Sequence, residues 1–464
     1  MTEHISRRQM LKEGLMVAGG AMMASPLLLQ GSQLLTNHTA LAAGPLPWPA
    51  ANTIVAETTV PTFPNQTFLA TNYGAKGDGS TDNTAAFAKA IAACNAAGGG
   101  HVVVPAGTYS TGAIHLLSNV DFHLNAGATI MFNGTASNYP PVLTRYEGIE
   151  CINHSPLVYA YGQNNIALTG SGILDAAGTA SWNQGSNRAG LLDPLVARGV
   201  PPQQRNVVGK LRVTYIEPYN CTNVLIQGIT MRHARFWQLH PTLCKNVTID
   251  SVTQVSPSMG NSDGCDPECC DHVVMNNCTF NALDDTIAIK SGRDADGRRV
   301  HTPSQNIVIM HCTFASNDGM ITCGSEESGG IQNVYAFDLS TFGKSVKYCL
   351  YVKANSLRGG FVRNVNIDTV KGSGVFGPIV FITMTYNGQT GGFLPDFSGP
   401  FNLNNVVVNK APIVLDLVGL PNDKIGPVNI TNSTFTNITN PTSTVSNVTS
   451  VNYTNVTING KPVH

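Results

Sequence analysis

The chain has 464 residues, of which 42% are apolar and 12% are charged, and its formal net charge is −1. This charge balance excludes a nucleic-acid-binding protein that relies on bulk positive charge, and the regularly patterned apolar content excludes a disordered chain. Low charge together with 46 glycines is typical of a stacked β architecture with many turns.

The first predicted element is an export signal. Arg7-Arg8 precedes an apolar stretch from Gly14 to Leu29, and a small-residue cleavage site, Ala40-Leu41-Ala42, follows. This order resembles a bacterial twin-arginine signal, with an uncleaved N-terminal anchor as the alternative. We therefore expect residues 1–42 to be a signal peptide and residues 43–66 a linker. The mature protein is then periplasmic or secreted, and it makes no membrane contact once the signal is removed.

A helix is predicted near the start of the mature chain. Asp82 precedes a helix-forming run from Thr84 to Ile91, and an Asp at this place accepts hydrogen bonds from the first free N–H groups of a helix. The strand Val102-Val103-Val104 follows. A helix here would cover the open end of a stacked β structure, which is otherwise an aggregation-prone edge.

A sequence phrase recurs from Asn220 onward, consisting of Asn or His, alternating apolar residues and a polar turn. The spacing between copies is uneven but stays close to one coil-sized unit, and the first six copies begin at Asn223, Asn246, His272, Asn306, Asn333 and Asn364. Variable spacing of this kind is typical of a β-solenoid. We predict an all-β fold, a single-stranded right-handed parallel β-helix over residues 67–464 with an N-terminal capping helix. The repeated Asn is expected to adopt the left-handed backbone conformation and to form a side-chain ladder.

The chain contains eleven cysteines, an odd number that leaves at least one thiol unpaired within the chain. One group, Cys265, Cys269, Cys270 and Cys278, lacks the paired spacing of a zinc site. We expect buried cysteines in the β core, some of them joined by the disulfides that export permits.

Acidic residues recur at the spacing of one coil. Asp284 and Asp285 follow Asp263 at about one coil length, and His240 precedes Asp263 by a similar interval. The side chains that this spacing stacks on one side of the solenoid are His240, Asp263, Asp284, Asp285, Asp318 and Lys353. Stacked carboxylates repel each other, which raises one pKa and leaves another group ionised, and glycoside hydrolysis needs both states. A set of surface-turn aspartates is the alternative.

The motifs around these acids resemble glycoside hydrolase family 28, the polygalacturonase family. The similarity runs from about Thr67 to the C-terminus, and its central motifs are Asn261-Ser262-Asp263-Gly264, Asp284 to Gly292, and Gly324-Ser325-Glu326. The resemblance implies an inverting hydrolase of the pectin backbone. We expect a monomer that acts on pectic polysaccharide or oligosaccharide, and no cofactor or metal, because acid and base carboxylates suffice.

The resemblance also implies roles for individual residues. Asp284 matches the general acid, Asp263 and Asp285 match the pair that holds the water, and Asn261 orients the site. The general scheme for inversion places the acid and the base ~6.5–9.5 Å apart. Because neighbouring residues of a strand point to opposite faces, Asp284 and Asp285 can serve one cleft only if the chain bends there.

Two positions depart from the family pattern. Asp318 stands where the family usually has His, and Tyr351 replaces the Arg of an Arg-Ile-Lys motif whose Lys is kept as Lys353. Tyr cannot supply the bidentate fork that binds a carboxylate, and Asp318 adds negative charge beside an expected anionic substrate. Both departures bear on the identity of the substrate more than on the hydrolytic chemistry. The predicted substrate-binding residues are Asn261, His240, Lys290, Asp318, Tyr351 and Lys353.

Several alternatives stay open at this point. A rhamnogalacturonan-type or other pectic-linkage hydrolase of the same family is the runner-up. A pectate lyase would share the fold, but it needs Ca²⁺ and releases an unsaturated product. A non-catalytic glycan-binding β-helix, or an inactive relative, would bind polymer without releasing reducing ends. The sequence leaves exo against endo action open.

Overall fold

The computed structural model describes residues 45–341, 346–372 and 374–464. The predicted signal peptide, residues 1–42, lies outside these ranges. Within them, no helix combines the length and the apolar character that a membrane crossing requires.

Short strands account for most of the regular structure. The first strands are β1 Thr67–Leu69, β2 Asp78–Asp82, β3 Gly100–Val104, β4 Gly107–Thr111, β5 Ile114–His115, β6 Val120–Leu124, β7 Ala128–Phe132, β8 Pro141–Tyr146, β9 Ile149–His154, β10 Val158–Tyr161, β11 Asn164–Gly170, β12 Ile173–Asp175, β13 Ile216–Tyr219, β14 Thr222–Gln227, β15 Thr230–Arg232, β16 Lys245–Asp250 and β17 Thr253–Val255. The later strands are β18 Asp271–Asn276, β19 Thr279–Asn281, β20 Ile287–Ile289, β21 Ser304–Met310, β22 Thr313–Ala315, β23 Gly319–Gly324, β24 Ile331–Thr341, β25 Tyr348–Lys353, β26 Phe361–Gly372, β27 Val380–Thr383, β28 Asp396–Ala411, β29 Leu415–Val418, β30 Val428–Ile438, β31 Thr444–Ser446, β32 Val451–Ile458 and β33 Lys461–Val463.

Helices are few and short in the described ranges. They are α1 Pro49–Glu57, α2 Thr84–Ala96, α3 Arg188–Leu191, α4 Asp193–Ala197 and α5 Asp294–Val300. Short 3₁₀ turns lie at Ala70–Tyr73, Ala136–Asn138, Ala177–Ser181, Pro202–Gln204 and Tyr386–Gly388.

The strands stack in parallel, coil upon coil. Most belong to one 22-stranded sheet, in which β14, β16, β18, β21, β24, β26, β28, β30 and β32 pair in succession. A second face begins with β5, β10 and β13 and continues with β20, β23, β25, β27, β29 and β31. Its two parts are joined by successive bridges, from Ile216 to Leu239, from Leu239 to Cys265 and from Cys265 to Ile287. We call this second face, from β5 to β31, the floor sheet. The predicted parallel β-helix is confirmed.

The repeated Asn or His marks the same turn of each coil. The six positions named above have φ angles of 56°, 56°, 60°, 58°, 58° and 52° in chain order. Their side chains form a ladder: Asn246 Nδ2 donates to Asn223 Oδ1 at 2.9 Å, and Asn333 Nδ2 donates to Asn306 Oδ1 at 3.0 Å. Asn tolerates the left-handed region because its short amide bonds locally. Both predicted properties of the repeat are confirmed.

Helix α2 covers the N-terminal end of the stack, as predicted. Its Phe87 is buried, and the ring meets that of Phe122 edge-on, with centroids 5.3 Å apart. Asp82 Oδ1 accepts a hydrogen bond from the Thr84 N–H at 3.0 Å, at the start of the helix. The helix thereby buries apolar side chains that the first coil would otherwise expose.

The segment 43–66, expected to be a linker, contains helix α1. Ala51 and Ile54 on this helix are buried in a cluster with Val308 and Tyr335 of the large sheet. Helix α1 therefore packs on the outside of the β-helix instead of spanning a gap. This helix was not predicted from the sequence, because α1 draws its stability from packing on the sheet and not from a strong intrinsic helix propensity.

All eleven cysteines lie in the described ranges, and all are buried and unbridged. The expected disulfides are therefore not formed. Cys221 and Cys244 occupy successive coils, and the Cys221 N–H donates to Cys244 Sγ at 3.4 Å. Burial raises the pKa of thiols such as Cys269, to about 12, which keeps them protonated and unreactive.

Candidate active site

Three carboxylates converge where two neighbouring coils enter the floor sheet. One oxygen atom from each of Asp263, Asp284 and Asp285 lies within 4.8 Å of the other two. Cys265 pairs with Ile287, so Asp263 and Asp285, each two residues earlier, are equivalent positions on adjacent coils. A point midway among three oxygen atoms this close is at most about 2.8 Å from each of them, which is within hydrogen-bonding distance for a water molecule.

The chain bends before it enters β20, and this bend brings Asp284 and Asp285 to the same place. The two residues precede the strand, which begins at Ile287. Asp285 is 1% exposed, whereas Asp284 is half-buried. The predicted bend is therefore present, and it leaves Asp284 as the more accessible of the two carboxyls.

Asp285 is held by three donors from the next two coils. Its Oδ1 accepts from the Gly319 N–H at 2.9 Å and from the Thr322 hydroxyl at 2.7 Å. Its Oδ2 accepts from Lys353 Nζ at 2.8 Å. Lys353 and the two neutral donors therefore fix the orientation of Asp285 through both of its carboxylate oxygens.

Asp263 is held less tightly and is 3% exposed. Lys290 Nζ lies 3.6 Å from its Oδ2, while its Oδ1 accepts no hydrogen bond from the described residues. Lys290 also contacts Glu326 at 3.1 Å and lies 4.5 Å above the ring of Trp237. The unpaired Oδ1 is therefore an acceptor that is free to bind water.

Protons are retained in this cluster near neutral pH. Burial, followed by the charge of Asp285, raises the pKa of Asp284. Burial also raises the pKa of Asp263, with Asp266 and Asp284 adding to the effect and Lys290 opposing it. Burial raises the pKa of Asp266 to about 7, against the opposing charge of Lys290. Because carboxylates this close cannot all ionise, the cluster separates acid from base states.

The coil spacing predicted that His240 stacks with these carboxylates, but the structure places it elsewhere. His240 is fully buried, its Nε2 is 2.8 Å from Glu268, and its Nδ1 is 3.7 Å from Glu217. Burial lowers the pKa of His240, but the two carboxylates outweigh it and raise this pKa to about 9. A side chain enclosed in this way contacts protein and not substrate. His240 is therefore part of a buried ion pair and not a substrate-binding residue. The strand register explains the difference, because Leu239 pairs with Cys265 and His240 consequently lies beside Asp266.

A wall stands on the N-terminal side of the carboxylates. The antiparallel hairpin of β8 and β9 reaches over the floor sheet, and a Cβ on its tip residue Gly148 would meet Arg293 and Glu326. Tyr146 of the hairpin stacks on Phe236 at 4.6 Å, and Phe236 stacks on Trp237 at 5.2 Å. Trp237 lies one coil before Asp263 and is only 2% exposed. The groove is therefore covered immediately before the acids.

Two rings continue the floor sheet on the C-terminal side. Tyr351 pairs with Thr322 on one strand and with Phe381 on the next. The Tyr351 and Phe381 rings stack 5.1 Å apart at an angle of 9°. Asp318 lies beside them, half-buried, with Oδ1 3.7 Å from Lys347 Nζ. Sequence reasoning missed Phe381, although it follows Tyr351 at the spacing of one coil.

The remaining predicted site residues occupy varied places. Lys290 and Lys353 contact the carboxylates, and Tyr351 lies under Lys353, whose Nζ is 4.4 Å from the ring centroid. Asn261 precedes the acids in a turn with a φ of 57°, and its side chain bonds to no other described residue. Beyond Lys290 the chain forms α5, where Arg299 pairs with Asp296 at 3.0 Å.

The three carboxylates also satisfy the geometry of a cation site. However, ammonium groups already lie 3.6 Å from Asp263 and 2.8 Å from Asp285. A Ca²⁺ ion takes six to eight oxygen ligands, whereas this donor set is shared with two lysines. The residues therefore suit acid–base chemistry better than a dedicated metal cage.

Carboxyl groups that can supply an acid and a base within one site are what glycoside hydrolysis requires. The model of glycosyl hydrolases family 28 matches residues 94–411, and the chain belongs to that family. A solved exopolygalacturonase from Thermotoga maritima is 32% identical, with a TM-score of 0.80 over 89% of this chain and 96% of that one.

Curated relatives agree with this assignment. A probable polygalacturonase from Vitis vinifera is 26% identical over 78% of this chain and 73% of its own length. The exo-poly-alpha-D-galacturonosidase of Dickeya chrysanthemi is 28% identical over 62% of this chain and 51% of its own length. The sequence-based assignment to this family is confirmed.

Proposed function

We propose that the protein hydrolyses α-linked galacturonate in pectic chains and releases it from one chain end. The observation that carries this is the set of three carboxylates around one water-sized space, with Lys290 and Lys353 beside two of them. The similarity to an exopolygalacturonase over nearly the whole of both chains supports the substrate class. The export predicted for residues 1–42 suits a polymer too large to enter a cell.

In the proposed mechanism, Asp284 donates its proton to the glycosidic oxygen as the bond from that oxygen to the anomeric carbon breaks. A water molecule held by Asp263 and Asp285 attacks the anomeric carbon from the opposite face. Its proton passes to Asp263, whose Oδ1 is free, and the new C–O bond has inverted configuration. Lys290 opposes the burial that raises the pKa of Asp263, whereas Asp284 has no ammonium group within 4.0 Å among the described residues, so we take Asp284 as the proton donor.

The spacing of the carboxylates is tighter than the general scheme for inversion. Oxygen atoms within 4.8 Å of one another fall short of the ~6.5–9.5 Å expected between acid and base. Inversion here rests on a water between the two oxygens and on family membership. It is testable, because α-linked galacturonate would first appear as the β anomer in a proton NMR time course.

Action from a chain end is supported by the wall before Asp263. Trp237, on the preceding coil, is covered by the stacked rings of Phe236 and Tyr146. Phe381 lies beyond the acids in the opposite direction and stays partly exposed. A polymer can then leave the site on the Phe381 side alone. The terminal sugar occupies the covered side, which is the arrangement expected of an exo-acting enzyme.

The first test compares wild type with Asp284→Asn on pectic oligomers and on α-galacturonosyl fluoride. Fluoride leaves without a proton, so the acid is needed for the oligomers alone. We expect monomer from the first minutes, and a loss of about 10²- to 10⁴-fold on oligomers for Asp284→Asn. The fluoride rate should fall far less. Equal losses on both substrates in Asp284→Asn would show that Asp284 is not the acid. A wild-type protein that releases no galacturonate from either substrate would contradict the proposed function.

A calcium-dependent lyase is the second candidate, favoured by the cation-like geometry of the three carboxylates. It predicts loss of activity on chelation and an unsaturated product that absorbs in the ultraviolet. The hydrolase predicts full activity in the presence of a chelator and a saturated product. One assay with and without chelator therefore separates the two.

A further inference from the structure

The face that carries the catalytic carboxylates continues beyond them as a strip of rings. Thr322, whose hydroxyl donates to Asp285 at 2.7 Å, is paired directly with Tyr351, and Tyr351 is paired directly with Phe381. Directly paired residues of neighbouring strands share one face of a sheet. We call Tyr348, Tyr351 and Phe381 the ring strip. It lies where the polymer must leave the site.

The ring strip is a packed aromatic unit. The Tyr351 and Phe381 rings stack at 5.1 Å, and Tyr348 approaches them at 4.5 Å and 5.3 Å respectively. Such packing fixes the rings before any sugar arrives. Phe381 is the outermost of the paired rings and remains half-buried. Tyr348 and Tyr351 are 5% and 6% exposed, so Phe381, which they support from beneath, is the ring of the strip that presents an apolar surface to a sugar.

The cations near the ring strip are held by carboxylates of the chain itself. Lys353 Nζ lies 2.8 Å from Asp285, and its side chain is 7% exposed. Lys347 is 38% exposed, but its Nζ lies 3.7 Å from Asp318 Oδ1. Tyr351 stands where a guanidinium could have formed a bidentate bond. A carboxylate on an incoming sugar would therefore meet Asp318, and it would have to compete with Asp285 and Asp318 for each of these lysines.

We propose that the sugar next to the cleaved bond on the ring-strip side, the leaving sugar, carries no charge. Its chemistry is an uncharged pyranose, either a methyl-esterified galacturonate or a neutral hexose or 6-deoxyhexose. The inference rests on the proposed function, because it takes the released terminal sugar to be galacturonate. We call Asp263, Asp284 and Asp285 the trio. The proposal explains why the chain keeps the trio while it replaces the Arg and the His of the family pattern.

The test uses four substrates with the wild-type protein. α-Galacturonosyl fluoride has no leaving sugar and reports on the trio alone. The other three are digalacturonate, its form methyl-esterified on the leaving sugar, and galacturonate α-linked to a 6-deoxyhexose. We expect kcat/KM to be at least about tenfold higher for one or both uncharged forms than for digalacturonate. The form that is preferred identifies the source of the leaving sugar.

Phe381→Ala tests the role of the ring strip directly. It should raise KM for the preferred uncharged substrate about tenfold and affect the rate on the fluoride, which lacks a leaving sugar, far less. Val407→Ala is the matched control, because Val407 is 50% exposed on β28 of the large sheet, away from the groove. Tyr351→Arg should do the converse and lower KM for digalacturonate, because it restores a carboxylate fork.

Each outcome decides the inference. Equal or better kcat/KM for digalacturonate overturns it, and so does a Phe381→Ala variant with unchanged KM on every substrate. A wild-type protein inactive on the fluoride and on all disaccharides overturns the proposed function instead. Activity on the fluoride together with a preference for digalacturonate leaves the proposed function standing and removes the uncharged leaving sugar.

Discussion

At the scale of single residues, the site is organised by which carboxylates lie beside each lysine. Lys290 lies against Asp263, Lys353 against Asp285 and Lys347 against Asp318. Asp284 lacks so close a cation among the described residues, and its pKa is raised by burial and by Asp285. Asp284 is therefore the carboxyl of the three catalytic candidates that lacks a direct ion pair in the described part of the chain, and it is the one we propose as the proton donor.

Asp318 offers a test of this arrangement. Burial and the charge of Asp285 raise its pKa to about 6, so Asp318 is mostly ionised at pH 7.5 and mostly neutral at pH 5. Asp318→Asn removes the negative charge and frees Lys347 to bind a substrate carboxylate. We expect KM for unesterified oligogalacturonate to fall about tenfold at pH 7.5, with a smaller change at pH 5. Steady-state kinetics at both pH values measures this.

Asp338→Asn is the control for that experiment. Asp338 is a surface carboxylate on β24 that pairs with His311 at 2.9 Å, so its loss also removes one charge but leaves the groove untouched. A KM that fails to fall at pH 7.5 in Asp318→Asn, or that changes equally in Asp338→Asn, would show that Asp318 does not oppose substrate charge.

At the scale of elements, the repeat was predictable and the insertions were not. The Asn phrase recurs because each coil needs one left-handed turn, and a short amide meets that need at every copy. The hairpin of β8 and β9 carries no such repeat, and its packing partner Phe236 lies several coils away from Tyr146 in sequence. No local pattern reports a contact of that kind.

Register sets a second limit on prediction. Counting coil lengths placed His240 beside Asp263, whereas the strand pairing sets it beside Asp266, slightly later in the same coil. Coils differ in length at their turns, so a count of residues locates the coil but not the position within it. The same count does bring Asp263 and Asp285 together, because both stand two residues before paired positions, Cys265 and Ile287.

The hairpin is anchored by a buried ion pair, which makes its role as a wall testable. Arg145 of β8 is 2% exposed, and its Nη1 lies 2.9 Å from Glu268 under the groove. Arg145→Met breaks this pair and should destabilise the protein by about 3–5 kcal/mol. We expect the hairpin to loosen and the product pattern to shift from monomer toward mixed oligomers. Size separation of early products measures the shift.

The rate on α-galacturonosyl fluoride is the control for misfolding of Arg145→Met, since the trio lies on other elements. A variant that keeps this rate and still releases monomer alone would show that the hairpin does not close the groove. A variant that keeps the rate and releases longer products would support the wall and, with it, action from a chain end.

At the scale of the whole molecule, the stacked coils bury an unusual set of ionisable groups. Burial raises the pKa of Asp266 to about 7, that of Asp318 to about 6, and those of Asp263, Asp284 and Glu327 above their usual range. Fewer buried carboxylates have a lowered pKa because cations hold them. Glu326 is an example: burial raises its pKa, but the charges of Lys290 and Arg293 lower it by more. The first set favours protonation in the folded state, and the second favours ionisation.

This balance predicts how stability depends on pH. A carboxyl whose folded pKa is raised binds more protons folded than unfolded between about pH 4 and its folded pKa, so its contribution to stability is lost as pH rises through that window. His240, with a pKa raised to about 9, adds a loss between about pH 6.5 and 9. Glu326 acts in the opposite sense, since its contribution is lost as pH falls below its ordinary pKa. We therefore expect maximum thermal stability near pH 4–5 and a steady decline toward pH 8.

Asp266→Asn isolates one part of that decline, because an amide of the same shape cannot ionise whereas burial raises the Asp266 pKa to about 7. Between pH 5 and 7 the variant should lose less stability than wild type, by up to about 3 kcal/mol, since one proton is worth about 1.4 kcal/mol per pH unit. Denaturant unfolding at pH 5, 6 and 7 measures the two slopes, and Asp338→Asn on the surface should keep the wild-type slope. Parallel slopes for wild type and Asp266→Asn would mean that Asp266 is already ionised in the folded protein, with Lys290 as its counter-ion at 3.5 Å.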